Sequence, residues 1–241
     1  MHTQNSFITL TYAKEHLPSD GSLIKWHFQD FMKRLRSAHP SHSIRYFMCG
    51  EYGEKFTRPH YHACLFGIDF PDKDPIREEE GIILYNSPKL DKIWSYGYTS
   101  IGALTFETAA YTARYITKKI TGDQRHEHYQ TTCEHTGNLI NLEPEFATMS
   151  LKPGIGKKWL DTYHSDIYPH DTVIHRKGKT SPPRYYDKIM ELNGHDIDSI
   201  KLNRKKRAAK NLSDNTPERL EVREKVKKLK FKQLERGLEK I

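Results

Sequence analysis

Glu51, His60 and His62 are the residues of this 241-residue chain whose types and spacing could hold a cation. They fall in residues 49–67, CGEYGEKFTRPHYHACLFG, where β-branched, aromatic and apolar runs at 44–48 and 61–66 bracket a polar segment. That segment carries Gly53, Lys55, Thr57 and Pro59, so two antiparallel strands joined by a turn near Lys55 and Phe56 are expected. Side chains alternate faces along a strand, which points His60 and His62 the same way and sets Glu51 across the ladder from them. Two imidazoles and a carboxylate leave coordination positions for water and substrate oxygens. The mixture suits Mg2+ or Mn2+ polarising a phosphate better than a closed structural zinc site. Cys49 and Cys64 share strand parity with these ligands and could draw zinc, but small buried core positions are the commoner fate of such cysteines. An isolated His-x-His beside a turn is more often a pair of surface histidines, so the metal reading needs support from elsewhere in the chain.

Support comes from residues 105–120, TFETAAYTARYITKKI. Ala109, Ala110 and Ala113 favour helix, and Thr105 with Thr108 gives a partial capping signal. Tyr111 and Tyr115 are then four apart on one face, with Lys118 and Lys119 on the next turn. Two tyrosines at this spacing are usually a packing stripe. Against that stands their company of Thr112, Arg114, Lys118 and Lys119, with few large aliphatics. A phosphate-polarising metal site and a helix offering two phenols beside cations are together what tyrosine-mediated strand cleavage requires.

The elements that must position these groups are read in chain order. FITLTY at 7–12 is a short strand with Thr9 and Thr11 on one face, and a helix with an apolar stripe at 24, 28, 31, 32 and 35 follows Ser22, its expected N-cap. After the hairpin, residues 69–80 are acidic and read as an exposed loop, followed by a short helix near 88–95 and a strand at 98–104. The expected class is α+β, a mainly antiparallel central sheet with flanking helices. Residues 122–142 contain His126, His128, Cys133 and His135 in no zinc spacing, so a flexible polar loop is expected there. PGIGKKWLDTY at 153–163 opens a helix whose N-terminus, with Lys157 and Lys158, could hold a backbone phosphate or be a glycine turn with solvated lysines. No Walker A loop occurs, so no ATP-driven helicase is encoded in this chain.

The net charge is +8, and residues 201–241 hold 15 Lys and Arg against six Asp and Glu, leaving the first 200 residues at −1. The reading divides the chain into a domain at 1–195 and a tail at 196–241, made of a polar linker with KLNRKKRAAK and a basic helix from about Pro217 to 240. Lys205, Lys206 and Arg207 of that linker are candidates for a non-specific grip on nucleic-acid backbone, although a solvated charged face is the commoner role of such runs. Three cysteines without C-x-x-C spacing speak against a disulfide framework, and no apolar run approaches the ~20 residues of a membrane helix. A soluble, cytoplasmic protein is expected.

In combination, CGEYGEKFTRPHYHACLFG, AAYTARYITKK and MSLKPGIGKKW resemble the HUH endonucleases that start rolling-circle replication, and are most similar to the initiators of small single-stranded DNA phages, the microviruses. The resemblance spans about residues 7–192. It implies a ferredoxin- or RRM-like HUH fold, a metal at Glu51, His60 and His62, nucleophiles at Tyr115 and Tyr111, and Lys118 at the phosphate. Arg114, Lys119, Lys157 and Lys158 would contact DNA, with Arg114 standing where the phage pattern often has Lys. It further implies a covalent 5′-phosphotyrosine intermediate on single-stranded or melted origin DNA, a host helicase and polymerase as partners, and the host bacterial cytoplasm as the place of action. Two other classes fit parts of the sequence: a non-catalytic single-stranded nucleic-acid-binding module, and a metal-dependent nuclease using activated water.

Overall fold

The structure, a computed structural model, describes residues 2–53, 58–79, 81–115, 119–132, 137–176 and 178–233. The chain divides into two compact units, with the boundary between Ile155 and Gly156.

The first unit contains β1 (Asn5–Tyr12), α1 (Lys25–Ala38), β2 (Arg45–Tyr52), β3 (Pro59–Phe66), β4 (Asp74–Glu79) and β5 (Ile82–Asn86). It continues with α2 (Pro88–Trp94), β6 (Gly97–Gly102), α3 (Phe106–Arg114), α4 (Gln124–Tyr129), β7 (Gln130–Thr132), β8 (Leu139–Asn141) and β9 (Phe146–Met149). Seven strands form one antiparallel sheet in the order β4-β5-β6-β1-β3-β2-β9. Strands β1 and β2 both run against β3 and are linked by α1, a split β-α-β arrangement that buries β3 at the centre.

Alternation along the strands gives the sheet two different faces. Ile8, Leu10 and Tyr12 of β1, Met48 of β2 and Tyr61, Ala63 and Leu65 of β3 form one core with Phe28, Phe31, Met32 and Leu35 of α1 and Leu90 and Trp94 of α2. The α1 residues recur at the helical spacing expected, and each buried large side chain of this kind contributes about 1.5–3 kcal/mol. Ser22 does not cap α1 as expected: its hydroxyl accepts from the Glu143 amide at 2.8 Å. The N-cap is Ile24, whose amide and carbonyl are both served by the buried Tyr61 hydroxyl at 3.0 and 2.9 Å.

Two expected loops are ordered. Residues 74–79 of the acidic stretch form the edge strand β4, and the segment after 122 holds α4 and the β7-β8 hairpin. His126 and His128 lie exposed on α4, while Cys133 and His135 fall outside the described residues.

The second unit contains α5 (Lys157–Ile167), β10 (Val173–His175), β11 (Gly178–Thr180), α6 (Arg184–Leu192), α7 (Asp198–Ala209) and α8 (Pro217–Lys232). Gly156 sits at the N-cap of α5 with φ +82°, and a Cβ there would meet the Tyr186 hydroxyl at 2.6 Å. The expected linker at KLNRKKRAAK is instead helix α7. Ile197 and Ile200 join Leu160, Ile167, Tyr168 and Met190 in a small core, and Arg204 bridges Asp171 and Asp187 with four hydrogen bonds of 2.6–3.0 Å. Helix α8 has the expected Pro217 in its first turn and Thr216 as N-cap, and its Val222, Val226 and Leu229 are exposed.

The Arg204 hydrogen bonds hold Asp171 well below the usual carboxylate range; burial opposes the same shift at Asp187, where Arg204 and Tyr168 together still lower it. A depressed carboxylate stabilises the folded state above its unfolded pKa of about 4, and that stability is lost as pH falls through the lower folded value. Arg204→Ala is therefore expected to destabilise this unit by about 2–4 kcal/mol at neutral pH, leaving two nearby carboxylates without their shared cation. Thermal melts at pH 7 and pH 3 check it, and the deficit of the variant should shrink at the lower pH.

Candidate active site

The second face of the central sheet carries the predicted site. Glu51 pairs in register with His60, and Cys49 with His62. On the far side of β3, Thr11 stands opposite His60 and Thr9 opposite His62. Because each pair is directly cross-strand, Glu51, Cys49, His60, His62, Thr9 and Thr11 share one face, as the alternation requires.

His62 Nε2 lies 2.9 Å from Glu51 Oε1, and its Nδ1 lies 3.0 Å from the Thr9 hydroxyl. His60 Nδ1 donates to the Arg58 carbonyl at 2.7 Å. Burial, reinforced by the neighbouring His62, lowers the His60 pKa and favours the neutral imidazole. Both Nδ1 atoms thus have oxygen partners, the arrangement that orients an imidazole to ligate through Nε2. The donor set fits a hard divalent cation in chemistry, yet among the described residues no three His, Cys, Asp or Glu side chains are gathered at metal-holding distances. Glu51 and His62 are brought together; His60 is beside Glu51 in register.

Helix α3 packs over this face. Its start is a reciprocal capping box in which Thr108 N donates to Thr105 Oγ1 at 3.2 Å and Thr105 N donates to Thr108 Oγ1 at 2.8 Å, with Thr in place of the usual Glu or Gln at the third position. The helix ends at Arg114 with Tyr115 as its C-cap, still in right-handed conformation. Tyr111 and Tyr115 therefore face the same way, and the Tyr115 hydroxyl donates to that of Tyr111. The Tyr115 ring stacks on His62 at 5.4 Å and 17°, the Tyr111 ring meets it edge-on at 5.5 Å, and Phe7 stacks on it from β1 at 5.9 Å. Tyr111 and Tyr115 are only 4% and 2% exposed. They are packed as a core stripe would be, but what they pack on is the His62–Glu51 pair. Glu51 and His62 are likewise buried, where a surface-facing strand pair would leave them open.

Other predicted residues are more scattered. The Arg114 guanidinium lies 6.0 Å from the Tyr111 ring centre, and Lys119 is exposed. Lys118 lies outside the described residues. In the second unit, Lys157 is paired with Asp161 at 2.7 Å and Lys158 is exposed. Lys205 and Lys206 are exposed on α7, and Arg207 is ion-paired with Asp171. Cys64 points under α3 to the Thr112 hydroxyl at 3.5 Å, and burial pushes its thiol up to about 11, so it stays protonated, unlike a ligating thiolate.

Three supports were not visible in the motifs. Thr9 and Phe7 reach His62 only because β1 lies beside β3, a crossover that sequence order does not announce. Beyond α3, the Tyr129 hydroxyl accepts from the Ile120 amide at 3.1 Å and donates to Glu145, which ties the chain leaving the tyrosine helix to the start of β9. Burial and the adjacent Glu145 push the Tyr129 phenol up to about 12.

Residues 5–120 match the family described as Replication-associated protein ORF2. The chain is 34% identical over 223 residues to the replication-associated protein ORF2 of Spiroplasma virus 4, covering 86% of this chain and 65% of that protein. It is 33% identical over 198 residues to the replication-associated protein VP4 of Bdellovibrio phage phiMH2K, covering 77% of this chain and 58% of that protein. A third relative, the replication-associated protein ORF4 of Chlamydia phage 1, is 34% identical over 126 residues, which is 49% of this chain and 31% of that protein. The chain thus spans about two thirds or less of the length of the relatives it matches. No solved structure matches it. Among the described residues no helix is long and apolar enough to cross a membrane. The matched region holds the whole of the site built above, and through it the chain belongs with the phage replication-associated proteins of the ORF2 family.

Proposed function

We propose that this chain is a replication initiator that nicks and rejoins single-stranded or locally melted origin DNA through a 5′-phosphotyrosine intermediate. The observation that carries the reading is the stacking of two hydrogen-bonded phenols on an imidazole that is itself bonded to a buried carboxylate. Packing alone would be served by phenylalanines over an apolar strand.

The Tyr115 phenolic oxygen attacks the scissile phosphorus; the tyrosyl O–P bond forms, the P–O3′ bond breaks, and the phenolic proton is balanced by the one the 3′-oxygen gains. A host polymerase extends that 3′-hydroxyl while a host helicase, in the host cytoplasm, opens the duplex. Tyr111 attacks the regenerated origin, and the newly freed 3′-hydroxyl displaces Tyr115, closing a circle. Each transesterification exchanges one phosphodiester for another, so no nucleotide is consumed. Each phenol is the other's hydrogen-bond partner, so the idle one can stabilise charge on the attacking one. Arg114, Lys118 and Lys119 would neutralise phosphates beside the nucleophiles. A bound Mg2+ or Mn2+, held by Glu51, His60 and His62, would polarise the phosphate oxygens.

Incubation with a single-stranded origin oligonucleotide labelled on either side of the nick tests the reading. A covalent species carrying the label 3′ of the nick supports it. Cleavage without an adduct would assign a water-activating nuclease, and binding without cleavage a recognition module.

The basic tail makes a separate prediction. A cut at 201 would remove Arg204 and unseat α7, so the informative deletion is 217–241, which holds nine Lys and Arg against five Glu, a net +4. Single strands release about 0.7 counterion per phosphate neutralised, so the log–log salt slope of DNA affinity should flatten by up to ~3. Titration of a labelled oligonucleotide across salt concentrations measures it, and adduct formation at low salt should survive.

A further inference from the structure

The site face is open on one side, and an aromatic ring stands there. Across the sheet, Glu51 of β2 pairs with His60 of β3, His60 with Thr11 of β1, and Thr11 with Tyr98 of β6. These four residues form one cross-strand row on one face. The parallel row one step along, Ser100, Thr9, His62 and Cys49, leads to the imidazole covered by Tyr111 and Tyr115. In the first row His60 and Thr11 are partly exposed and Tyr98 is 69% exposed, so this row is the approach to the covered pair.

We propose that Tyr98 is a stacking platform for a nucleobase of the single strand, a subsite flanking the scissile phosphate. The inference rests on the DNA-nicking reading of the same face. A large ring held two-thirds exposed on a folded strand is a poor use of apolar area unless something covers it, and its row otherwise offers Thr11, His60 and Glu51, with no aliphatic residue. A protein partner would need a contiguous apolar patch, whereas a base needs one π-face beside polar groups that meet its backbone. The platform is fixed in place. Gly97, just before it, has φ +155°, and a Cβ there would lie 2.4 Å from the Thr11 carbonyl oxygen, so β6 is pressed against β1 at this point. That carbonyl is held from the other side by Trp94 Nε1 at 3.0 Å, and the next residue, Thr99, donates to Asp91 at 2.7 Å. Strands lie about 4.8 Å apart, which sets Tyr98 on the order of 10 Å from His60, within reach of a nucleotide neighbouring the phosphate handled there.

The test is binding of a fluorescein-labelled oligothymidylate of about 15 nucleotides, read by anisotropy in EDTA so that no cleavage contributes. Tyr98→Ala should weaken binding about tenfold, Tyr98→Phe and Tyr98→Trp should keep wild-type affinity, and the indole of the Tyr98→Trp variant should be quenched on binding. Tyr98 is exposed, so all three variants should melt with the wild type. Equal affinity of Tyr98→Ala and wild type, failure of the aromatic variants to keep affinity, or no binding of the oligomer at all would overturn the proposal. If wild type forms adducts on origin DNA while Tyr98→Ala binds unchanged, the subsite fails and the nicking reading stands. If binding depends on Tyr98 but no adduct ever forms, the stacking platform stands and the nicking reading fails.

Discussion

The double variant Tyr111→Phe/Tyr115→Phe is expected to form no covalent adduct with origin DNA, while at least one single variant still does. Phenylalanine keeps both rings where they stack on His62 and lie near Phe7, so the packing of α3 on the sheet is retained. What is lost is two hydroxyls and the hydrogen bond between them, a cost of about 1 kcal/mol in stability. The effect on chemistry is of another order, since only the phenolic oxygens can carry the phosphoryl group. Circle release, which needs two nucleophiles in turn, should fail in each single variant. Had the tyrosines been packing residues alone, wild type would give no adduct and the double variant would differ only by a small shift in melting temperature. An adduct persisting in the double variant would point to Tyr98, the exposed phenol on the same face. Tyr61 is a poor substitute, since its hydroxyl is on the core side, bonded to Ile24 and pushed up to about 12 by burial.

How far the site could be read from the chain follows from which signals are local. The β2-β3 hairpin shows itself through alternation and a polar turn, so the shared face of Glu51, His60 and His62 was legible to the residue. The i, i+4 spacing of Tyr111 and Tyr115 likewise needed only a helix. That the helix lies on the hairpin, with Tyr115 on His62, depends on packing between elements and leaves no mark in either motif. Strand β4, DPIREE, reads as loop because an exposed edge strand is defined by its ladder to β5, and its side chains are mostly polar. Helix α7 was hidden for a different reason. Its inward face is spaced as a helix should be, at Ile197, Ile200, Arg204 and Arg207, but half of it is arginine meeting Asp171 and Asp187. A search for apolar periodicity passes over a face held by ion pairs.

The second large effect is expected at the carboxylate, where the choice of substitution matters. His62→Ala would delete an imidazole stacked between Phe7 and Tyr115 and take from Glu51 the contact at 2.9 Å, so it should cost about 2–4 kcal/mol in stability as well as activity. Loss of cleavage in that variant could therefore come from either cause. Glu51→Gln keeps the volume and an oxygen facing His62 Nε2 while removing the charge, and its melting temperature should stay near that of wild type. Its adduct-forming rate should nevertheless fall on the order of 10²–10³-fold, the usual loss when one electrostatic partner of a developing oxyanion is removed. Mn2+ binding, followed by calorimetry without DNA, should weaken by at least about tenfold. Chelation of the wild type with EDTA should reproduce the loss of adduct without loss of fold. Adduct formation at the wild-type rate in EDTA, or by Glu51→Gln, would remove the cation from the mechanism and leave Glu51 as a partner that only orients His62 beneath the two tyrosines.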